Sequence, residues 1–152
     1  MIGGEEDNPY KAMGLLAPAA DSGMATHLRI FGGQEEYDKY YEEASSDQGY
    51  ADFTTIYGQE QQLSLTWFDE LRESTPLEKI SNFKGNILVL YGDQDVVVPA
   101  KVNELVVNAH ENARGLVVPN ADHGYGFYSD QPDVTAAVED QLAMFFAENL
   151  KK

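Results

Sequence analysis

Two clusters of polar residues, each placed directly after an apolar run, contain the side chains that acid–base chemistry needs. The segment GDQD (92–95) follows NILVLY, and the segment NADHG (120–124) follows GLVVP. If a carboxylate of the first cluster accepts the Nδ1–H of the histidine in the second, the tautomer is fixed and Nε2 can act as a base. This pairing is the acid–base half of a nucleophilic hydrolase. An aspartate after a strand also hydrogen-bonds its own turn, which is the simpler interpretation of Asp93.

A parallel sheet would place both clusters at one edge. Apolar runs at 12–16, 86–92 and 114–120 predict three buried strands. Helices are predicted to begin at Pro99 and at Pro132, because proline favours the first helical position. Strands that alternate with helices imply an α/β fold, with a parallel sheet of about three strands and flanking helices. Ligands of such sheets bind beyond the carboxyl ends of the strands, where the two polar clusters lie.

Both predicted helices have one apolar face, which is expected to cover the sheet. After Pro99, apolar residues recur at i, i+3, i+4 and i+7, which predicts a buried stripe of Val102, Leu105, Val106 and Ala109. After Pro132, helical spacing is kept by Val134, Ala137, Val138, Leu142, Phe145 and Phe146.

Residues 22–80 do not follow the alternation of strands and helices. This segment is acidic, tyrosine-rich and weakly periodic until LSLTWFDELRES (63–74), which is helical in pattern. So long an insertion between two strands of one sheet is usually a cap or lid. Its aromatic residues either line an apolar pocket or pack the insertion onto the body of the protein; they include Tyr37, Tyr40, Tyr41, Tyr50, Tyr57, Trp67 and Phe68.

Composition limits the classes of partner. The chain has 152 residues, no cysteine and a formal net charge of −16. Nucleic acids and anionic membranes bind basic surfaces, so neither is expected as a partner. No run approaches the roughly 18 apolar residues of a membrane span, and the start MIGGEEDNPYKAM does not resemble a signal peptide. A cytoplasmic location is predicted.

The order strand, G-x-x-D-x-x-V-P (92–99), helix, strand and A-D-H-G-Y (121–125) resembles the C-terminal portion of the α/β-hydrolase superfamily. The resemblance covers residues 10–150. The segments LLAPAAD (15–21) and PLEKISNFKGNILVLYGDQDVVVP (76–99) are most similar to bacterial cinnamoyl or feruloyl esterases and to serine-aminopeptidase-like hydrolases. The resemblance therefore implies a single, truncated α/β-hydrolase domain over 1–152, with the insertion 22–80 as its lid.

The same resemblance implies an activity and a set of site residues. The activity would be serine-type hydrolysis of a carboxylic ester, without a cofactor or a metal. Asp95 would be the acid of the catalytic triad and His123 its base, while Asp93 would be a loop residue. Because the lid of these enzymes covers the acyl pocket, Trp67 and Phe68 become candidate substrate-binding residues.

The sequence departs from this family at the nucleophile. Hydrolases of this kind place a serine in G-x-S-x-G, ahead of the acid and the histidine. No such motif is present; the serines are Ser22, Ser45, Ser46, Ser64, Ser74, Ser81 and Ser129. The strand and loop that would supply an oxyanion hole are missing as well. MIGG resembles the end of the helix that follows the nucleophile, with Gly3 and Gly4 as its stop, so Met1 would be an internal methionine of a longer enzyme.

Two alternatives stay open at this point. DQDVV (93–97) fits D-x-D-x-[TV] of haloacid-dehalogenase-like phosphotransferases, in which Asp93 would be the nucleophile and magnesium would assist. Those enzymes need a downstream lysine and an acidic pair, yet after residue 101 the only lysines are the last two residues. The other alternative is a hydrolase-derived binding domain without catalysis. Metal binding through the three histidines is not expected, because they lie far apart and lack H-x-x-x-H spacing.

The strand at 12–16 leads to a prediction about assembly. In a complete sheet this strand would pair on both sides, whereas here one edge is expected to be open, and an open apolar edge recruits other chains. We predict that the isolated chain self-associates or is poorly stable. Size-exclusion chromatography with light scattering, followed by urea unfolding, measures both properties. A monodisperse monomer that unfolds cooperatively would contradict the prediction.

Overall fold

The computed structural model describes residues 8–21 and 25–151. They form two compact units: one contains the described residues up to 20 together with 76–151, and the other, the insertion unit, contains 21–75. The elements are, in chain order, β1 (Ala12–Leu16), α1 (Ala25–Phe31), α2 (Gln34–Ala44), β2 (Tyr50–Thr54), β3 (Glu60–Ser64), α3 (Leu65–Glu73), α4 (Pro76–Ile80), β4 (Asn86–Gly92), α5 (Ala100–Ala109), β5 (Ala113–Val118) and α6 (Pro132–Asn149).

The main unit is built on a three-stranded parallel sheet in the order β1-β4-β5. Ala12 pairs with Asn86, and Ile87 pairs with Ala113, so β4 is the central strand. The predicted α/β class and the parallel three-stranded sheet with flanking helices are confirmed. The first two strands have their predicted bounds, and the third begins one residue earlier and ends at Val118.

Strand β4 is apolar from Ile87 onward because both of its faces are covered. On one face, Ile87, Val89 and Tyr91 pack in a cluster with Ile80 of α4 and Val106 of α5. On the other face, a second cluster joins the strands to α6 and consists of Leu88, Leu90, Val118, Ala121, Val138 and Phe145. Successive side chains of a strand point to opposite faces, so each face of β4 contributes to a different layer of the core.

The insertion unit has a core of its own. Strands β2 and β3 form an antiparallel pair, with Tyr50 opposite Ser64 and Thr54 opposite Glu60. Four of the seven residues in its hydrophobic core cluster are aromatic; the cluster consists of Phe31, Tyr37, Ala44, Ala51, Phe53, Leu63 and Phe68. The unit ends at Thr75 rather than at residue 80, because Ile80 is buried with the core of the main unit.

Helix α5 differs from its predicted pattern at two positions. Val102 and Val106 are buried as expected, but Leu105 is 41% exposed, so its place in a buried stripe was wrong. The face turned inward instead includes Asn103, which is fully buried. The buried stripe is therefore rotated by a fraction of a turn toward the loop that follows β4.

Strand β1 lies at one edge of the described sheet, where it pairs only with β4. Self-association through this edge stays a prediction. The expectations about Met1, Gly3, Gly4 and Ser22 fall outside the described residues. Among residues 8–21 and 25–151, none of the helices combines the length and the apolarity that crossing a membrane requires.

The packing of α6 yields a stability prediction with a matched control. Phe145 is 2% exposed in the core between α6 and the sheet, whereas the neighbouring Met144 is 50% exposed. Phe145→Ala should lower the free energy of unfolding by about 3–5 kcal/mol, because it removes a buried ring and leaves a cavity. Met144→Ala should change it by less than about 1 kcal/mol. Urea unfolding of both variants measures the difference, and equal losses would contradict the described packing.

Candidate functional site

Asp95 and His123 lie in two loops that begin at the same edge of the sheet. β4 and β5 are parallel neighbours, with Gly92 opposite Val118, so the loops that follow them start side by side. The Nδ1 of His123 lies 2.9 Å from Oδ2 of Asp95, although 28 residues separate them in sequence. The structure therefore brings together the two side chains that the sequence analysis paired; their catalytic role stays a proposal.

The carboxylate of Asp95 is surrounded by hydrogen-bond donors. Its side chain is 0% exposed, and Oδ1 accepts hydrogen bonds from the backbone N–H groups of Val97, at 2.8 Å, and Val98, at 2.9 Å. Burial raises the pKa of Asp95, but the hydrogen bonds from His123, Val98 and Val97 and the charge of His123 outweigh it. The pKa of Asp95 consequently lies below the usual value of an aspartate.

This ionisation fixes the tautomer of His123. A charged carboxylate can only accept hydrogen bonds, so the ring proton shared with Asp95 must be carried by Nδ1 of the imidazole. Nε2, on the opposite side of the ring, then has a free lone pair when the ring is neutral. The histidine side chain is 31% exposed. The arrangement can take a proton at Nε2 and stabilise the resulting imidazolium through Asp95.

Asp93 connects the acid loop, residues 93–99 after β4, to the histidine loop, residues 119–131 after β5. Its Oδ1 accepts a hydrogen bond of 2.7 Å from the backbone N–H of Asn120, instead of closing its own turn as the simpler interpretation expected. Backbone hydrogen bonds join the loops at two further points, from Asp93 N–H to Val118 O and from Gln94 N–H to Ala121 O. Gly92 permits this approach, because a Cβ at that position would overlap the Ala121 carbonyl.

Tyr125 anchors the histidine loop to the end of the sheet and was not predicted from the sequence. Its hydroxyl donates to the carbonyl of Leu90 at 2.8 Å, and its own carbonyl accepts from Thr135 Oγ1 at 2.8 Å. Burial, with a further contribution from the negative charge of Asp95, raises the pKa of Tyr125, so the phenol stays a donor. Tyr125 has a positive φ of 51°, which such a residue adopts only where its surroundings hold it. The motif A-D-H-G-Y contains this residue, but nothing in its spacing signals the contact with Leu90.

The two predicted substrate-binding residues lie in α3 of the insertion unit. Phe68 is fully buried, and its ring packs against other aromatic rings of that unit, including Tyr37 and Phe31. Trp67 is partly exposed, and its ring lies edge-on to Phe68 at a centroid distance of 5.0 Å. Of this pair, Trp67 is the residue that is not fully buried. The assignment of both residues to a substrate pocket stays a prediction.

Within 8–21 and 25–151, no three histidine, cysteine, aspartate or glutamate side chains converge in a way that could hold a metal ion. The carboxylate of Asp93, which the phosphotransferase alternative would use as the nucleophile, accepts hydrogen bonds from Asn120 N–H and from Gln94 Nε2.

Comparisons with known proteins give the fold a wider setting. No protein-family model and no curated protein sequence matches this chain. Among solved structures, the esterase domain of a Rhodothermus marinus protein is similar with a TM-score of 0.71 and 14% identity, over 99% of this chain and 57% of that chain. Est1E from Butyrivibrio proteoclasticus with bound ferulic acid is similar with a TM-score of 0.65 and 18% identity, over 95% of this chain and 53% of that chain.

A third similar structure is the α/β hydrolase GrgF from Penicillium sp. sh18, with a TM-score of 0.63 and 12% identity, over 95% of this chain and 58% of that chain. At these identities the likeness establishes the fold. This chain has the fold of part of an α/β hydrolase, which confirms the resemblance drawn from its motifs. It spans little more than half the length of these structures.

The hydrogen bonds of Asp95 predict an acid-dependent stability. Its pKa is lowered in the folded state, so its contribution to folding is present above the unfolded pKa of about 4 and is lost as the pH falls through the folded value. The difference in unfolding free energy between the wild type and Asp95→Asn should therefore shrink as the pH is lowered below about 5. Urea unfolding of both proteins at stepped pH measures this difference. A difference that stays constant or grows on acidification would contradict the described hydrogen bonds.

Proposed function

We propose that this chain supplies the acid–base pair of a serine-type carboxylic ester hydrolase. The observation that carries the proposal is the 2.9 Å contact between His123 Nδ1 and Asp95 Oδ2 at the carboxyl ends of adjacent parallel strands. The likeness of this chain's fold to α/β hydrolases supports it, and one of the similar structures is the esterase domain of a Rhodothermus marinus protein. A fold alone hosts many activities, so the contact carries more weight than the likeness.

The reaction would proceed through an acyl-enzyme. Nε2 of His123 takes the proton of a serine hydroxyl as the serine oxygen attacks the ester carbonyl, and then delivers that proton to the departing alcohol. In the second half, the same nitrogen activates water, which releases the acid and restores the serine. Asp95 holds the ring in the productive tautomer and stabilises the imidazolium in both halves.

The serine and the oxyanion donors are not assigned to any residue of this chain. G-x-S-x-G is missing from the 152 residues, and the proposal is that a segment outside them carries it. Little or no ester hydrolysis is expected from the chain as it stands. The same absence is the observation that favours a second candidate, a hydrolase-derived binding domain without catalysis.

The proposed substrate is an ester of a carboxylic acid, with an aromatic acid as the first class to examine. The motifs resemble those of cinnamoyl and feruloyl esterases, and ferulic acid is bound by the similar Est1E. In this proposal the insertion unit acts as a lid over the acyl pocket, and the partly exposed ring of Trp67 contributes apolar surface to it.

The proposal is tested with an extended protein, which is made by expressing this chain together with the in-frame coding sequence found directly upstream of residue 1 in the genome. Where that sequence contains G-x-S-x-G, the extended protein should hydrolyse p-nitrophenyl and feruloyl esters, while the 152-residue chain should not. Asp95→Asn and His123→Ala in the extended protein should each reduce turnover by on the order of 10⁴. Asp93→Asn serves as the matched control, because it retains an acceptor oxygen and should leave most of the activity.

Four outcomes would change the conclusion. Turnover by the 152-residue chain that both variants abolish would mean that the nucleophile lies within these residues. Turnover by the extended protein that neither variant affects would remove Asp95 and His123 from the mechanism. Magnesium-dependent hydrolysis of a phosphate ester that Asp93→Asn abolishes would favour the phosphotransferase. An independent translation start at residue 1, without G-x-S-x-G upstream, would favour the binding domain.

A further inference from the structure

Asn103 is the polar residue of α5 that the structure buries completely. It is 0% exposed and lies next to Val102, which packs with Val98 and Ala17 in a small apolar cluster beneath the acid loop. A buried amide is costly unless it is hydrogen-bonded, so its partners indicate what it stabilises.

The amide nitrogen of Asn103 is bonded to the turn that surrounds the carboxylate of Asp95. Nδ2 donates to the carbonyl of Val98 and to that of Pro99, both at 3.2 Å. Both partners are acceptors, so the atom that faces them must be the amide nitrogen. Val98 thus donates its N–H to Asp95 and accepts from Asn103 with its carbonyl.

Among residues 8–21 and 25–151, Asn103 is the residue whose side chain donates hydrogen bonds to the carbonyls at the start of α5. Pro99, at the N-cap position, has neither an N–H nor a side chain that can cap the helix. The Pro99 carbonyl also accepts from Val102 N–H at 2.8 Å. The buried carbonyl of Val98, in contrast, depends on the side chain of Asn103 among the hydrogen bonds described here.

We propose that Asn103 is a positioning residue, which holds the 95–99 turn closed so that Asp95 directs Oδ1 to the turn amides and Oδ2 to His123. The catalytic meaning of this role rests on the proposed function, but the geometry itself does not. The positioning residue acts through Asp95 and touches neither His123 nor the reacting atoms.

The side-chain oxygen of Asn103 shows that packing alone does not explain why this residue is buried. Its Oδ1 is buried and accepts no hydrogen bond from the described residues. An unsatisfied buried oxygen lowers stability, and an apolar side chain branched at the same carbon would avoid that loss. Stability and positioning are therefore expected to respond differently to substitution.

The test uses NMR on the 152-residue chain and requires no substrate or nucleophile. In the wild type, the ¹³Cγ shift of Asp95 against pH gives the pKa of the carboxyl, and the ¹⁵N shifts of the His123 ring show which nitrogen carries the proton. Asn103→Leu should raise the Asp95 midpoint by on the order of one pH unit, because the turn amides are no longer held against Oδ1. It should also reduce the fraction of His123 protonated at Nδ1 in the neutral ring.

Two further variants keep the result interpretable. Asn103→Ser retains a donor that can reach the Pro99 carbonyl four residues earlier but not that of Val98, so its Asp95 midpoint should fall between those of the wild type and Asn103→Leu. Val106→Ala is the matched control: it destabilises the same helix from a cluster that does not contain the turn, and it should leave both readouts unchanged.

The results for Asn103→Leu and Asn103→Ser decide whether Asn103 positions Asp95 or is only a core residue. If Asn103→Leu and Asn103→Ser are folded and both keep the wild-type midpoint and tautomer, Asn103 is only a core residue and the proposal is overturned. If Asn103→Leu does not fold, the Asn103→Ser midpoint decides. If the extended protein fails to hydrolyse esters while these shifts occur as expected, the proposed function fails and the positioning role stands.

Discussion

The hydrogen bonds of one buried carboxylate determine how this site is built. Removing an ionised aspartate from water costs several kcal/mol, so it stays charged only where donors replace the lost solvent. Asp95 has three such donors, which are two amides of its own turn and the imidazole of His123. Each donor must be aimed at the carboxylate, and the surrounding loops therefore have little conformational freedom.

The orientation of the His123 imidazole is set by the contacts between the loops that follow β4 and β5. Parallel pairing of β4 and β5 brings the loop origins together, and Gly92 allows the backbones to approach closely. Asn120 and Tyr125 hold backbone conformations with positive φ, which are costly for residues other than glycine. The hydrogen bonds from Asn120 N–H to Asp93 and from Tyr125 to Leu90 offset that strain and fix the direction of the histidine loop.

Sequence reasoning predicted the elements whose hydrophobic pattern is strong, and it failed where that pattern is weak or where a buried residue is polar. Strand β4 was predicted because both of its faces are buried, which makes its sequence apolar from Ile87 onward. The bounds of β5 were predicted from its apolar run, but its burial was not: only Val118 of that strand is buried, and Leu116 and Val117 are exposed. The β2–β3 pair was missed because EQQLS buries only Leu63, so its alternation carries little hydrophobic signal. Asn103 was missed, and Leu105 wrongly included, because the apolar-stripe rule assigns buried positions by hydrophobicity alone. The Asp95–His123 contact was predictable, since both residues follow neighbouring strands.

The donors to Asp95 all belong to the main unit, in the loops after β4 and β5, and the contacts that hold those loops come from the same unit. The energy that orients the imidazole is thus provided by folding of the main unit, before any substrate or nucleophile is present, as preorganised catalytic groups require. A pair held in this way keeps its geometry when the nucleophile is absent. The geometry of Asp95 and His123 is consequently set by loop packing, and under the proposed function turnover would additionally require a serine that these contacts do not supply.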